Sequence, residues 1–326
     1  MPNPVFQSVH LDVPLTNLSI AYAQDAEQFI ADKVFPMVPV EKQSDKYFTY
    51  DKGDLLRIEA KIRAPGTESE GGGYRVSSDR YSCERYALHK DIDDPTRKNS
   101  DSMLDPDADA TEYLTQNLLM LRDQLWADRF FQAGGVWSTD YAGVAAAPGA
   151  GQFLRWSVPG STPVQDIRRG RRDINGLTGY WPNKLVLGRT VFDTLLDHAD
   201  LIDRIKYTTK ATGQSVEDIM AELFQVEEVL IADAIRNTGV EGQAFVGTRI
   251  FGAGALLAYA APAPSLRRPS AGYTFSWSEF DLVKRGGAAM KKFRMEQIES
   301  DRVEGQMSFD FKVTGQDLGA FFATAV

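Results

Sequence analysis

The sequence predicts an α+β fold with two arms, on three observations. A long amphipathic helix follows Asp107, the C-terminal third is rich in strands, and Tyr47 to Ile92 reads as an extended glycine-tipped hairpin. That hairpin carries almost no core of its own. From Leu55 to Arg63 the alternation is clean: Leu56, Ile58, Ala60 and Ile62 fall on one face, Arg57, Glu59, Lys61 and Arg63 on the other. Pro65-Gly66 and Gly71-Gly72-Gly73 form the tip. The return limb, Tyr74 to Lys90, alternates less well and predicts a bulge or register change. Burying Leu56, Ile58 and Ile62 contributes roughly 5 to 9 kcal/mol. Fixing the backbone of the strand costs roughly 8 to 16 kcal/mol, so the arm needs a neighbour to cover it.

The remaining elements follow in order. Residues 1 to 24 carry scattered apolar groups and Pro2, Pro4 and Pro14, which predicts a second extended arm. A short helix is expected over Asp25 to Lys33, stopped by Pro36, with Pro39 keeping Met37-Val38 extended. In the long helix Asp107 or Asp109 serves as cap, and Leu114, Leu118, Leu121 and Leu125 form the stripe, widened by Trp126 and Phe130. It should run to about Ala133 as a rod of roughly 35 to 40 Å. Ala145 to Gly160, rich in Ala, Gly and Pro, reads as a linker or boundary. Thr162 then caps a helix with Pro163 at its first position and Gln165 placed for a capping box. Strands are expected at Lys184 to Leu187, Glu228 to Ile231, Ala255 to Tyr259, Lys291 to Ile298 and Gln306 to Val313. Val191 to His198 and Val216 to Phe224 read as helices, the latter capped by Ser215.

Bulk properties narrow the function. The 326 residues are 43% hydrophobic and 25% charged, an ordinary soluble globular composition. A formal charge of −9 argues against a mainly electrostatic grip on nucleic-acid phosphates, though not against enclosing nucleic acid. Cys83 is the only cysteine, which excludes an intrachain disulfide framework and fits a reducing compartment. Neither a secretory signal nor a membrane span is expected.

Candidate chemistry is thin. Asp105-Pro106-Asp107-Ala108-Asp109 mimics the start of a calcium loop, but Ala110 and Gln116 stand where glycine and glutamate are needed. Helix capping accounts for it better. Cys83, His89 and Asp91 hint at a thiol nucleophile, yet an exposed arm offers no sheltered pocket. No catalytic, cofactor or metal residues are therefore assigned. Arg168-Arg169-Gly170-Arg171-Arg172 is the one basic run; a phosphate contact is weighed against a solvated helix face pairing with acids of this or a neighbouring subunit, and the second is favoured.

One ordered set of segments carries a resemblance. Phe29-Ile30-Ala31-Asp32-Lys33-Val34-Phe35-Pro36-Met37-Val38-Pro39-Val40, then Lys46 to Asp54, then Arg63-Ala64-Pro65-Gly66 at the arm tip, resemble the major capsid proteins of tailed bacteriophages with the HK97 fold. The resemblance implies residues 1–28 as N-terminal arm, 46–92 as extended β-hairpin loop, and 29–45, 93–155 and 283–314 as peripheral domain. Residues 156–282 and 315–326 would form the axial domain, with 93–155 holding the spine helix. It further implies a non-enzymatic protein of the virion capsid, assembled in the host bacterial cytoplasm. Its copies would join as hexamers and pentamers into an icosahedral shell around double-stranded DNA, beside a portal and in some cases a decoration protein. Because Met1 stands almost at the arm, a separate scaffolding protein is expected. The tip, Thr67 to Tyr74, has no lysine, so the covalent crosslink of some members is not carried over. Leu56, Ile58, Ile62, Arg63, Glu68, Glu70 and Arg75 are the expected subunit-interface residues. The alternatives are a nanocompartment shell of the same fold enclosing a cargo protein, and a cytosolic oligomeric enzyme with a β-arm.

Overall fold

A computed structural model describes residues 28–100, 105–207, 215–264, 268–278 and 289–326. The N-terminal arm expected over 1–28 lies almost wholly outside the described residues. The described residues begin with a short helix α1 (Ala31–Val34), strands β1 (Met37–Val40) and β2 (Ser44–Tyr50), and a single helical turn α2 (Lys52–Leu55). After the loop come β3 (Val76–Ser82), β4 (Glu84–Asp93), α3 (Asp94–Asn99) and the long helix α4 (Pro106–Phe130). Then follow β5 (Thr139–Val144), β6 (Gln152–Leu154), α5 (Pro163–Thr178), β7 (Lys184–Gly188), α6 (Arg189–Leu196), α7 (Ala199–Tyr207) and α8 (Val216–Phe224). The last part holds β8 (Glu228–Ala232), β9 (Ile235–Asn237), β10 (Gly247–Arg249), β11 (Ala255–Ala258), β12 (Gly272–Trp277), β13 (Ala289–Met295), β14 (Ser300–Val313) and β15 (Gly319–Ala323).

Two main sheets organise these elements. In the first, β14 is the hub. Strand β4 pairs antiparallel with Ser300 to Phe309, while β13 pairs with Ser300 to Gln306 and β12 with Phe309 to Val313. A strand has only two edges, so β13 and β12 share one edge in succession and β4 takes the other. Strand β1 adds parallel to β12. The second sheet has the order β6-β5-β15-β11-β7-β8.

Alternation along the second sheet divides the molecule's two large cores. Val186, Leu256, Ala258 and Phe321 point into one cluster, where they meet α4 and the aromatic residues of β14. Leu185, Leu187, Ala255, Leu257 and Phe322 point into the other, beneath α5, α6 and α8. Both faces are therefore covered, which explains why these strands read as short continuous apolar runs. Gly170 lets α5 approach closely, since a Cβ there would lie 3.0 Å from the Phe322 ring.

Several sequence expectations shift by a few residues for identifiable reasons. The helix cap is Asp105 rather than Asp107 or Asp109: its side chain accepts from the Asp107 and Ala108 N–H groups, and Pro106 fills the first helical position, where its missing N–H costs no intrahelical bond. Asp107 instead pairs with Arg97 and Lys292, which together hold its carboxyl down at about 2. The helix stops at Phe130, short of Ala133. Thr162 precedes α5 without a side-chain cap bond, whereas Ser215 makes a full capping box with Asp218. The stretch Ala145 to Gly160 is no linker; it contains β6 and the buried Trp156 and belongs to the second sheet with β5. In the other direction, β12 lies in the first sheet.

Two charged residues in the middle of α4 are buried, and they fasten the segment before β1. Asp123 accepts the backbone N–H groups of Ile30 at 3.2 Å and Ala31 at 2.9 Å, capping α1 from another element. Arg122 pairs with Asp32 and lies over the Phe309 ring. Phe29, Ile30, Ala31, Val34 and Phe35 are thereby sealed against Trp126 and Phe130.

Two predictions follow from this packing. Trp137 is fixed by its indole N–H donating to the Phe130 carbonyl, and a Cβ on Gly319 would sit 2.2 Å from its ring. Gly319→Ala should destabilise the subunit by about 1 to 3 kcal/mol, read as a lower urea midpoint. Burial, only partly offset by the two backbone donors, pushes the Asp123 carboxyl up to about 6. A carboxyl raised above its unfolded value gives a contribution that is full below about pH 4 and lost as pH rises through about 6. Relative to Asp123→Asn, the parent chain should therefore lose on the order of 2 kcal/mol between those pH values. Equal pH slopes for the two proteins in chemical denaturation would contradict this.

Candidate subunit interface

The arm is real, but its strands are not those the alternation predicted. Strands β2 and β3 pair antiparallel from Ser44 opposite Ser82 to Tyr50 opposite Val76. Their root packs on β12: the Tyr81 ring stacks on Phe275 at 4.6 Å, and Tyr47 lies 5.5 Å from the same ring. At Cys83 the chain leaves the arm and joins β14, the register change expected in the return limb. Consequently Ile92 is buried against Ala110, Leu114 and Val303 rather than carried on the arm.

Residues 56 to 75 form a loop without strand pairing. The alternation over Leu55 to Arg63 does not become a strand, because the limb that would pair with it runs alongside β2 instead. Leu56 is 66% exposed, Ile58 93%, and Ile62 is fully open. The charges expected to reach a neighbour serve the loop in part. Arg75 donates to Asp51 at 2.8 Å and Asp54 at 2.9 Å, closing the loop's neck, and this guanidinium holds the Asp54 carboxyl below its ordinary value. Lys61 pairs with Glu70 at 2.8 Å, and Arg63 donates to the Thr67 carbonyl. Glu68 is exposed and pairs with nothing among the described residues. The apolar row is thus left facing solvent on a loop whose neck is tied.

The other candidate groups do not assemble into a reactive centre. Cys83 is buried, its thiol donates to the Phe275 carbonyl, and burial pushes it up to about 12. His89 is exposed, and Asp91 is engaged by Arg302 at 2.6 and 2.8 Å. Sequence reasoning missed a serine–histidine contact, Ser161 Oγ to His198 Nε2 at 2.9 Å. His198 Nδ1 accepts the Asp200 N–H, so Nε2 carries the proton and donates to Ser161. That is the wrong tautomer for a base, and the pair serves as a turn clamp. No group of His, Cys, Asp and Glu among the described residues could hold a metal ion. No described helix is long and apolar enough to cross a membrane.

Comparison with known proteins gives this arrangement its context. The family profile described as phage major capsid protein E matches residues 154–269. The major capsid protein of Burkholderia phage BcepMu is 27% identical over 254 residues, 76% of each chain. That of Pseudomonas phage JBD67 is 24% identical over 317 residues, 97% of each chain. The capsid structure of cyanophage P-SCSP1u superposes with a TM-score of 0.61 at 10% identity, covering 94% of this chain and 90% of that one. The chain is similar to phage major capsid proteins over nearly its whole length and has the fold of phage capsid subunits. Within this phage capsid fold, the arm and its loop are the part with the least packing of its own.

The tied neck of the loop is testable. Arg75→Ala should speed proteolytic cleavage within residues 56 to 74 while leaving the melting temperature unchanged. Equal cleavage rates would show that the neck is held by something else.

Proposed function

We propose that this chain builds an icosahedral head from hexamers and pentamers, closed around double-stranded DNA. The observation that carries the reading is the apolar row Leu56, Ile58 and Ile62 on an uncovered loop, since a chain of this fold gains from that row only when another copy covers it. Full burial of the three side chains contributes roughly 5 to 9 kcal/mol per subunit, of the size that lattice avidity can multiply. Arg63, Glu68, Glu70 and Arg75 would rim the contact, each exposed pair contributing about 0 to 1 kcal/mol. Weak rim contacts let misplaced subunits leave before the shell closes.

The domain division assigns residues 46–82 to the extended loop, with the β14 sheet, β4 included, and α4 as the peripheral part and the six-stranded sheet as the axial part. The negative net charge suits a lining that encloses DNA without gripping it. A scaffolding protein, a portal and a decoration protein are the further partners this reading calls for, and the role is structural rather than enzymatic.

Negative-stain electron microscopy of the chain, expressed with and without its neighbouring gene products, tests the reading. Shells, capsomers or tubes are expected; a uniform small oligomer under every condition would overturn it. Ile58→Asp combined with Ile62→Asp should abolish particles while circular dichroism and melting of the free subunit stay as in the parent. Particles at parental yield would remove the row from the interface.

A further inference from the structure

Two exposed apolar surfaces sit at opposite ends of the same pair of strands. Strands β7 and β8 run parallel, with Lys184 opposite Glu228 at one end and Gly188 opposite Ala232 at the other. Just before Lys184 lie Tyr180 and Trp181, 40% and 52% exposed. The Arg171 guanidinium covers the Trp181 ring at 5.1 Å, and Tyr180 rests 5.1 Å from Tyr259. Beyond Ala232 the chain runs into the β9–β10 hairpin, whose tip exposes Val240, Phe245 and Val246. The base of that hairpin is fixed by Asp233, which accepts from Arg189 at 3.1 Å and from Arg249. The strands between the two surfaces separate them by about 13 Å or more, so a subunit does not fold its own tip onto its own aromatic patch.

The charges at the two ends are complementary and unsatisfied at home. Glu241, at the hairpin tip, and Arg172, beside Arg171 on α5, are both exposed and have no ion pair among the described residues. Arg171 is half-buried next to Arg168, its Nε has no acceptor, and burial together with that neighbour lowers it below the ordinary guanidinium value. The patch is a pair of aromatics with Arg171 over the Trp181 ring, a guanidinium that donates to the neutral Gln225 side chain and has no anion among the described residues, and Arg172 next to it on α5. The tip is a valine–phenylalanine surface that carries an anion.

We propose that the hairpin tip, residues 238–246, of one copy docks on the Tyr180–Trp181 patch of the next copy, with Glu241 set against Arg171 and Arg172. The contact joins two different surfaces of the same chain, so it repeats head to tail and closes into a ring where the rotation permits. Aromatic and arginine anchors are the residue types that dominate such contacts. A second copy is favoured over a foreign partner because both halves, with matching charge, are present on this one chain. The inference rests on the capsid reading, to which it adds the ring contact.

Crosslinking in the full-length chain tests it. Cys83 is buried, so Glu241→Cys and Arg172→Cys supply the reactive thiols for a short bis-maleimide. In assembled particles the double variant should give a ladder rising by one chain mass per step, and each single variant only monomer. Particles that form without a ladder overturn the contact and leave the capsid reading intact. Absence of particles even from the parent chain under every condition overturns both. Independently, Glu241→Arg and Arg172→Glu should each lower particle yield severalfold, and the two together should restore it. A double reversal no better than either single one overturns the pairing.

Discussion

Strand β14 is bordered along both edges by three strands, β12 and β13 from just before it in the sequence and β4 from the N-terminal third, and the spine helix α4 lies across it. The arrangement is a constraint as much as an interaction. Phe309 and Phe311 meet Arg122 and Phe130 of the helix, while Gly305 removes the side chain where Leu118 comes nearest. Once this strand is placed, β4 must return along it, and the arm that precedes β4 is aimed outward. The segment from Phe29 to Phe35 is then held by Asp123 of the same helix. The same strand thus orients the core, the N-terminal entry and the arm.

Much of this was legible where local chemistry and burial agree. The capping box at Ser215, the run Lys184 to Leu187 and the aromatic alternation of Met307, Phe309 and Phe311 all lead directly to what the chain does. Misreadings came where long-range pairing overrides local pattern. The alternation at Leu56, Ile58 and Ile62 is as regular as that in β14, but no strand lies opposite it, so it remains loop. Strand β6 and Trp156 were hidden in a segment of small residues, because a three-residue strand at a sheet edge leaves little periodic signal. Arg122 and Asp123 broke the apolar stripe of α4 and carried no sign of the backbone donors 92 and 93 residues away. Arg63, Glu68, Glu70 and Arg75 could be named from sequence as charges of the arm, but not the intramolecular pairing of Arg75 with Asp51 and Asp54 or of Lys61 with Glu70.

The contacts proposed for neighbours draw on different parts of the molecule. The arm loop extends from the first sheet, whereas the hairpin tip and the aromatic patch belong to the second. A subunit built this way separates two tasks, bridging outward with a tethered loop and closing rings with rigid ends. Rigid ends fix an angle between copies, and a tethered loop tolerates variation in it. A closed shell needs both, because the same chain must sit at positions of different curvature.

Cys83 has a consequence beyond packing. Its thiol is enclosed by Tyr81, Phe275 and the backbone at the root of the arm, and at neutral pH it stays protonated. The one thiol of the chain is therefore closed to exchange. A particle made from it could move from a reducing medium into an oxygenated one, and remain there, without gaining a disulfide at this position.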